Sequence, residues 1–176
     1  GRLSAYKGVR LLLDAWHRAD VDAELRIVGD GDLRDDVLAA STSDPRITWV
    51  GQVRPDEVGD QIASARAVVV ASVWDEPFGR VAAEALAHGR PVISTGRAGL
   101  AEVVDDSCGW ITGDDPDAMA AALREAADHD QLVARKARAA TERHAATFSP
   151  TATTDRLIDI YTSVRDDTEH DARRPG

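Results

Sequence analysis

Residues 67–94 read AVVVASVWDEPFGRVAAEALAHGRPVIS. Ala67 to Ala71 is an unbroken apolar run rich in β-branched residues, the pattern of a strand covered on both faces. Phe78 to His88 carries helical periodicity, and Pro91 to Ser94 is a second short apolar run. Strand, helix, strand within this span is a βαβ unit, and two strands joined that way lie parallel with a right-handed crossover. The same alternation extends in both directions. Strands are expected at Leu25–Val28, Ile47–Val50 and Gly109–Thr112. Helices are expected at Val9–Ala19, Leu33–Ala40, Asp56–Ala65 and Asp117–Asp128, with Asp115-Pro116 as an N-cap acid followed by proline at the first helical position. The fold class is therefore α/β, a doubly wound parallel sheet. Ligands of such sheets sit beyond the carboxyl ends of the strands, so the loops after Val28, Val50, Ala71 and Ser94 hold the candidates.

The two ends differ from this middle. Residues 130–147 and 153–165 read as two helices with no strand between them, and residues 166–176 as a frayed, charged tail. One domain over residues 1–165 is expected. Gly1-Arg2-Leu3 opens straight into a loop, where a doubly wound sheet would have a strand first. The sequence thus reads as a fragment cut at that strand.

Composition narrows the function. The 176 residues are 43% hydrophobic and 30% charged, which is globular rather than disordered. A net charge of −10 argues against nucleic acid or an anionic membrane as partner. Cys108 is the one cysteine, which excludes an internal disulfide and a cysteine-based zinc site. No apolar stretch approaches the ~20 residues of a membrane span, and no signal-peptide pattern is visible. A cytoplasmic location is expected. Aspartate outnumbers glutamate 23 to 8 and arginine outnumbers lysine 19 to 2. Either a GC-rich genome or adaptation to high salt produces that bias, the first being favoured because the excess is moderate.

The chemistry gathers around Glu76 and Glu84. Glu76 lies in the loop after the buried strand, and Glu84 about six residues into the next helix, roughly 9 Å further along its axis at 1.5 Å per residue. A hydrolytic carboxylate pair needs both groups on one bond, so the two acids fit two parts of one elongated ligand better. Gly79 permits close backbone approach, and the helix N-terminus offers unpaired N–H groups to a phosphate. The bland alternative is an acid favouring the helix dipole plus a surface glutamate.

The string Glu76-Pro77-Phe78-Gly79…Glu84 followed by Ala87-His88-Gly89-Arg90-Pro91-Val92 resembles the donor-site signature of the retaining GT-B glycosyltransferases of family 4, E-x-F-G-x-x-x-x-E then A-x-G-x-P-V. Gly1-Arg2-Leu3 with Lys7-Gly8 is similar to the family's G-R-L-x-x-x-K-G. Leu25 to Gly31 resembles its L-x-I-V-G-x-G strand, Gly51-Gln52-Val53 its G-x-V, and Gly99 with Glu102-Val103 its G-x-x-E-V turn. The ordered matches cover residues 1 to about 112, and residues 113–165 match more loosely.

That resemblance implies a Rossmann-like donor-binding lobe, the C-terminal half of a GT-B enzyme. It implies retaining transfer from a nucleotide-diphosphate sugar, UDP-, GDP- or ADP-linked, to an acceptor hydroxyl, without a metal and with no cofactor beyond the donor. Arg2 and Lys7 would hold the diphosphate, as would the backbone N–H groups of Arg80 and Val81. Glu84 would take the ribose hydroxyls, and Glu76 the sugar hydroxyls in a pocket shaped by Phe78 and Gly79. Val53 would lie near the base. Neutralising a departing diphosphate is the main electrostatic task of such a site. The family's acceptor lobe precedes this one and is not in the sequence, so the fragment alone is expected to be inactive, and any contact with the inner face of the membrane would be made through that lobe. The alternative is a non-catalytic nucleotide-sugar-binding or regulatory module. A GT-B-like epimerase is not favoured by Glu-Pro-Phe-Gly.

Other features receive structural readings. Asp30-Gly31-Asp32 mimics an Asp-x-Asp metal site, but Asp32 reads as a helix N-cap. Gly29-x-Gly31 is only a partial dinucleotide loop, because position 34 is Arg. Five histidines show no ligand spacing. Trp16, Trp49 and Trp110 read as core, and Trp74, two residues before Glu76, as structural, with lining the pocket as the alternative. One departure from the family pattern stands out. Thr95-Gly96-Arg97-Ala98-Gly99-Leu100 replaces the usual pair of adjacent glycines beside the donor sugar, leaving the sugar's identity open.

Overall fold

The computed structural model describes residues 1–171 of the chain, with side chains through Ser163. Five strands alternate with helices: α1 Val9–Ala19, β1 Leu25–Val28, α2 Arg34–Ser43, β2 Ile47–Gly51, α3 Val58–Ser64, β3 Val68–Val70, α4 Arg80–Ala87, β4 Val92–Ser94, α5 Gly99–Val103, β5 Gly109–Ile111 and α6 Pro116–Asp128. Two helices close the chain, α7 Asp130–Arg143 and α8 Pro150–Asp171, joined by a π-helical turn at His144–Phe148. All strand pairings are parallel, as the βαβ alternation requires.

The ladder is split: β1 pairs with β2, and β3-β4-β5 form a second sheet. Residues 1–8 run between the two. The Gly1 amino group donates to Val28 O (2.6 Å), and Leu3 N–H donates to Asp30 O (2.9 Å). Further along, Val73 N–H donates to Tyr6 O (3.0 Å), tying the segment to the extension of β3. The segment that bears Arg2 and Lys7 is therefore stitched to strand ends on both sides.

The core follows the same division. On α1, Val9, Ala15, Trp16 and Ala19 form the buried stripe, packed with Leu25, Ile27, Ile47 and with Met119 and Leu123 of α6. Burying each such aliphatic side chain is worth about 1.5–3 kcal/mol. A second cluster joins α4 (Ala82, Ala85, Leu86) to Leu100, Val103, Cys108 and Ala140 of α7. That packing anchors α4 under the loops that matter below.

Several boundaries differ from expectation for local reasons. Helix α4 starts at Arg80, not Phe78, because Gly79 is left-handed (φ +82°) and cannot be a helical residue. The segment expected as Asp56–Ala65 splits into a 3-10 turn at Pro55–Glu57 and then α3. Asp32 does not cap α2: the cap position is Leu33, with no side-chain bond, and Asp30 instead accepts from Gly31 N–H (2.8 Å). Asp115 does cap α6, accepting from Asp117 N–H (2.9 Å) with Pro116 behind it. Helix α8 continues through Asp171, so residues 166–171 are helical where a frayed tail is expected. The remainder of that tail lies outside the described residues. No helix among the described residues is long and apolar enough to cross a membrane.

Candidate functional site

Two segments meet at the carboxyl end of β3. The first is the 3-10 turn Ala5–Lys7, closed by Gly8. Gly8 sits at φ +71°, and a Cβ there would lie 1.7 Å from the Ala71 carbonyl oxygen. Only glycine lets the turn rest on the end of the strand. The second is the loop Ser72–Phe78, which leaves β3 and carries Glu76. Their meeting brings Lys7 Nζ onto Glu76 Oε1 as an ion pair, with the lysine a third exposed and the glutamate 14% exposed.

Ser72 completes the arrangement. Its hydroxyl, on a residue only 1% exposed, lies 3.0 Å from Glu76 Oε1 and 3.2 Å from Tyr6 O. One hydroxyl proton serves one acceptor at a time: given to Tyr6 O it joins the two segments, and given to Glu76 Oε1 it fixes the carboxylate within its own loop. Both protein contacts fall on Oε1. Among the described residues, Glu76 Oε2 has no hydrogen-bond partner and remains open to an incoming donor.

Helix α4 begins a few residues beyond Glu76. Gly79 O accepts from the N–H groups of Ala82 and Ala83 (2.9 and 3.2 Å). The amides of Arg80 and Val81 precede these, and among the described residues no protein group accepts from them, as expected in a first helical turn. A Cβ on Gly79 would meet only the movable end of the Leu100 side chain (Cδ2, 2.5 Å), so it is the left-handed φ of +82° that calls for glycine. One turn in, Glu84 faces Arg80 at 3.3 Å, a solvent-facing i,i+4 pair. Phe78 is 45% exposed and meets Phe148 edge-on at 5.8 Å.

Of the residues singled out from the sequence, Lys7 and Glu76 are in direct contact, with Phe78, Gly79, Arg80 and Val81 following along one segment, and Glu84 next on the same helix. Arg2 is exposed on the 1–8 segment, and among the described residues it makes no ion pair. Val53 is half-buried beyond β2 and contacts none of the group by hydrogen bond. Among the described residues, no hydrogen bond or ion pair joins Arg2 or Val53 directly to Lys7 or Glu76.

Sequence reasoning misses Ser72, although a serine ending an apolar strand just before an acidic loop is a visible signal. Trp74 is 52% exposed and packs edge-on at 6.3 Å against Tyr6, the residue before Lys7. Trp16 and Trp110 are core as expected, and Trp49 packs against it, donating from Nε1 to Gly29 O (3.0 Å). A concavity of about 550 Å³ lies elsewhere, between β5, α6 and α7, and is lined by none of the site residues singled out from the sequence. Among the described residues no cluster of three or more His, Cys, Asp or Glu is placed to hold a metal ion.

Comparison with known proteins follows the same lines. Residues 1–129 match the family model described as Glycosyl transferases group 1. An uncharacterised glycosyltransferase of Methanocaldococcus jannaschii is 35% identical over 127 residues, covering 68% of this chain and 32% of its own length. A D-inositol 3-phosphate glycosyltransferase of Corynebacterium kroppenstedtii is 31% identical over 176 residues, covering 92% of this chain and 39% of its own. Among solved structures, Anabaena HepE in complex with UDP superposes with a TM-score of 0.83 at 25% identity, covering 93% of this chain and 47% of that one. A sucrose-phosphate synthase from Thermosynechococcus elongatus gives 0.78 at 26% identity, covering 95% and 44%. The chain thus spans less than half the length of each of these four proteins.

Proposed function

We propose that this chain, which belongs to the group 1 glycosyl transferases, is the donor-binding lobe of a retaining, family-4-like GT-B enzyme that moves a sugar from a nucleotide diphosphate to an acceptor hydroxyl. Transfer on this reading needs an N-terminal lobe supplying the acceptor. The relatives' greater length and the UDP held by HepE support it.

The observation that carries the reading is the geometry at Glu76. Lys7 and Ser72 hold one carboxylate oxygen, and the other is open close to a helix start with two unclaimed amides. An elongated ligand bearing hydroxyls at one end and a diphosphate in the middle matches that order. Sugar hydroxyls donate to Glu76 Oε2. The diphosphate accepts from the Arg80 and Val81 amides and meets the charge of Lys7, with Arg2 approaching from the same segment. Glu84, further along α4, takes ribose hydroxyls. As the sugar–oxygen bond breaks, negative charge grows on the leaving phosphate, and fixed cations and amides there lower the barrier. Glu76 positions the sugar and is not required as nucleophile.

Calorimetric titration of the folded chain with UDP, GDP and ADP tests this. Saturable binding of at least one is expected, and a folded chain that binds none contradicts the proposal.

A further inference from the structure

We propose that Arg97 is a positioning residue that fixes Glu76 and so sets how tightly the sugar half of the donor is held; this rests on the nucleotide-sugar reading above. Arg97 lies in the loop joining β4 to α5. Its guanidinium pairs with Asp75 on one side (Nε to Oδ1, 3.2 Å) and with Asp114 on the other. Asp75 directly precedes Glu76, and Asp114 follows β5, so one side chain ties together the loops leaving three adjacent parallel strands. Both pairings hold the guanidinium firmly in its charged form. A planar, forked cation suits this two-sided grip better than a lysine would.

The backbone of the same loop grips Glu76 from the other direction. Gly99 N–H donates to Glu76 O (2.8 Å), and Leu100 N–H turns back to Arg97 O (3.0 Å). At Gly99 a Cβ would stand 2.6 Å from Phe78 N and from Pro77 C and O, so the loop is pressed flat on the Glu76–Phe78 backbone. Between them Ala98 holds φ +44°, ψ −123°, a conformation that favours glycine. A strained residue persists only where its surroundings over-determine it. Here the surroundings are the two ion pairs of Arg97 and the two bonds made by Gly99 and Leu100. Thr95 adds a further tie, its hydroxyl donating to Ser72 O (2.6 Å), and Ser72 itself contacts Glu76. Glu76 is thus held through both its neighbour and its own carbonyl by one loop, whose side-chain anchor is Arg97.

The test uses Arg97→Ala and Arg97→Lys, with Asp114→Asn as a milder variant should Arg97→Ala fail to fold. Two quantities are read: the hydrogen-exchange rate of the Gly99 amide, and the ratio of UDP-glucose to UDP affinity. Loss of the anchor is expected to speed Gly99 exchange by about tenfold or more while core amides such as Ile93 stay protected. The affinity ratio is expected to fall by about threefold to tenfold with UDP affinity itself unchanged, and Arg97→Lys to restore only part of each. Unchanged Gly99 exchange in both Arg97→Ala and Asp114→Asn overturns the proposal. So does an equal loss of UDP and UDP-glucose affinity, which would place Arg97 at the nucleotide instead. If the wild-type chain binds none of UDP, GDP and ADP, the nucleotide-sugar reading falls, while Gly99 exchange still decides whether Arg97 fixes Glu76.

Discussion

Lys7 and Glu76, 69 positions apart in sequence, form an ion pair at the end of β3 and share Oε1 with the Ser72 hydroxyl. Each carries a different part of the ligand in the proposed function, so their removal separates the two parts. Lys7→Ala is expected to weaken UDP binding by about tenfold or more, since a charge-assisted contact is worth about 1.5–3 kcal/mol. Glu76→Ala is expected to leave UDP affinity within about twofold while removing the added affinity of a UDP-sugar. Calorimetry on both variants checks this, and loss of bare UDP binding in Glu76→Ala would reverse the assignment.

Gly8 sets that pair in place. A methyl group there would lie inside contact distance of the Ala71 carbonyl, in a left-handed conformation as well. Gly8→Ala is expected to destabilise the fold by about 2–4 kcal/mol, through strain and displacement of the turn. Chemical denaturation measures it, and a loss under about 0.5 kcal/mol would show that the turn relaxes freely.

Ala98 offers the opposite sign. Its φ of +44° suits glycine, so Ala98→Gly is expected to raise stability by about 1 kcal/mol, the released strain outweighing the added freedom of the unfolded chain. For a chain of this size that is roughly 2–4 °C in melting temperature. A drop in melting temperature would mean that Ala98 is not strained.

Lys136 supplies a pH-dependent test away from the site. It is 7% exposed, lies over the Trp110 ring, and donates to Asp106 O (2.6 Å) and Gly109 O (2.7 Å), clamping the edge strand β5 to α7. Lys136→Met is expected to cost about 1–3 kcal/mol by leaving those carbonyls without a donor. Burial pushes the Lys136 ammonium below its ordinary value of 10.5. The folded protein therefore releases this proton before the unfolded chain does. Wild-type stability relative to Lys136→Met should rise with pH from that lowered value up to the unfolded one and be flat below it. Urea titrations across the alkaline range read the difference, and a gap that narrows with rising pH would contradict the burial effect.

Much of the architecture is legible in the amino-acid sequence. The βαβ alternation locates all five strands to within a residue or two, because a buried parallel strand must be a continuous apolar run. The Glu76 to Glu84 spacing places both acids around one helix start. What escapes is set by tertiary contact. Helix α5 is hidden because five residues, Gly99–Val103, are too few to show a period. The start of α4 is displaced because Phe78 is apolar, although the φ of Gly79 decides the matter. Asp32 looks like a cap from its position alone. The Arg97 anchor depends on Asp75 and Asp114 being brought together by three parallel strands, which no local pattern announces.

Amide chemical shifts of the isotope-labelled chain during titration with UDP test the proposed diphosphate site most directly. The expected result is that the largest saturable shifts fall on Arg80 and Val81 at the head of α4 and on the segment from Arg2 to Gly8. Saturable shifts concentrated elsewhere, as around Trp110 and Lys136, with Arg80, Val81 and Lys7 unmoved, would contradict it.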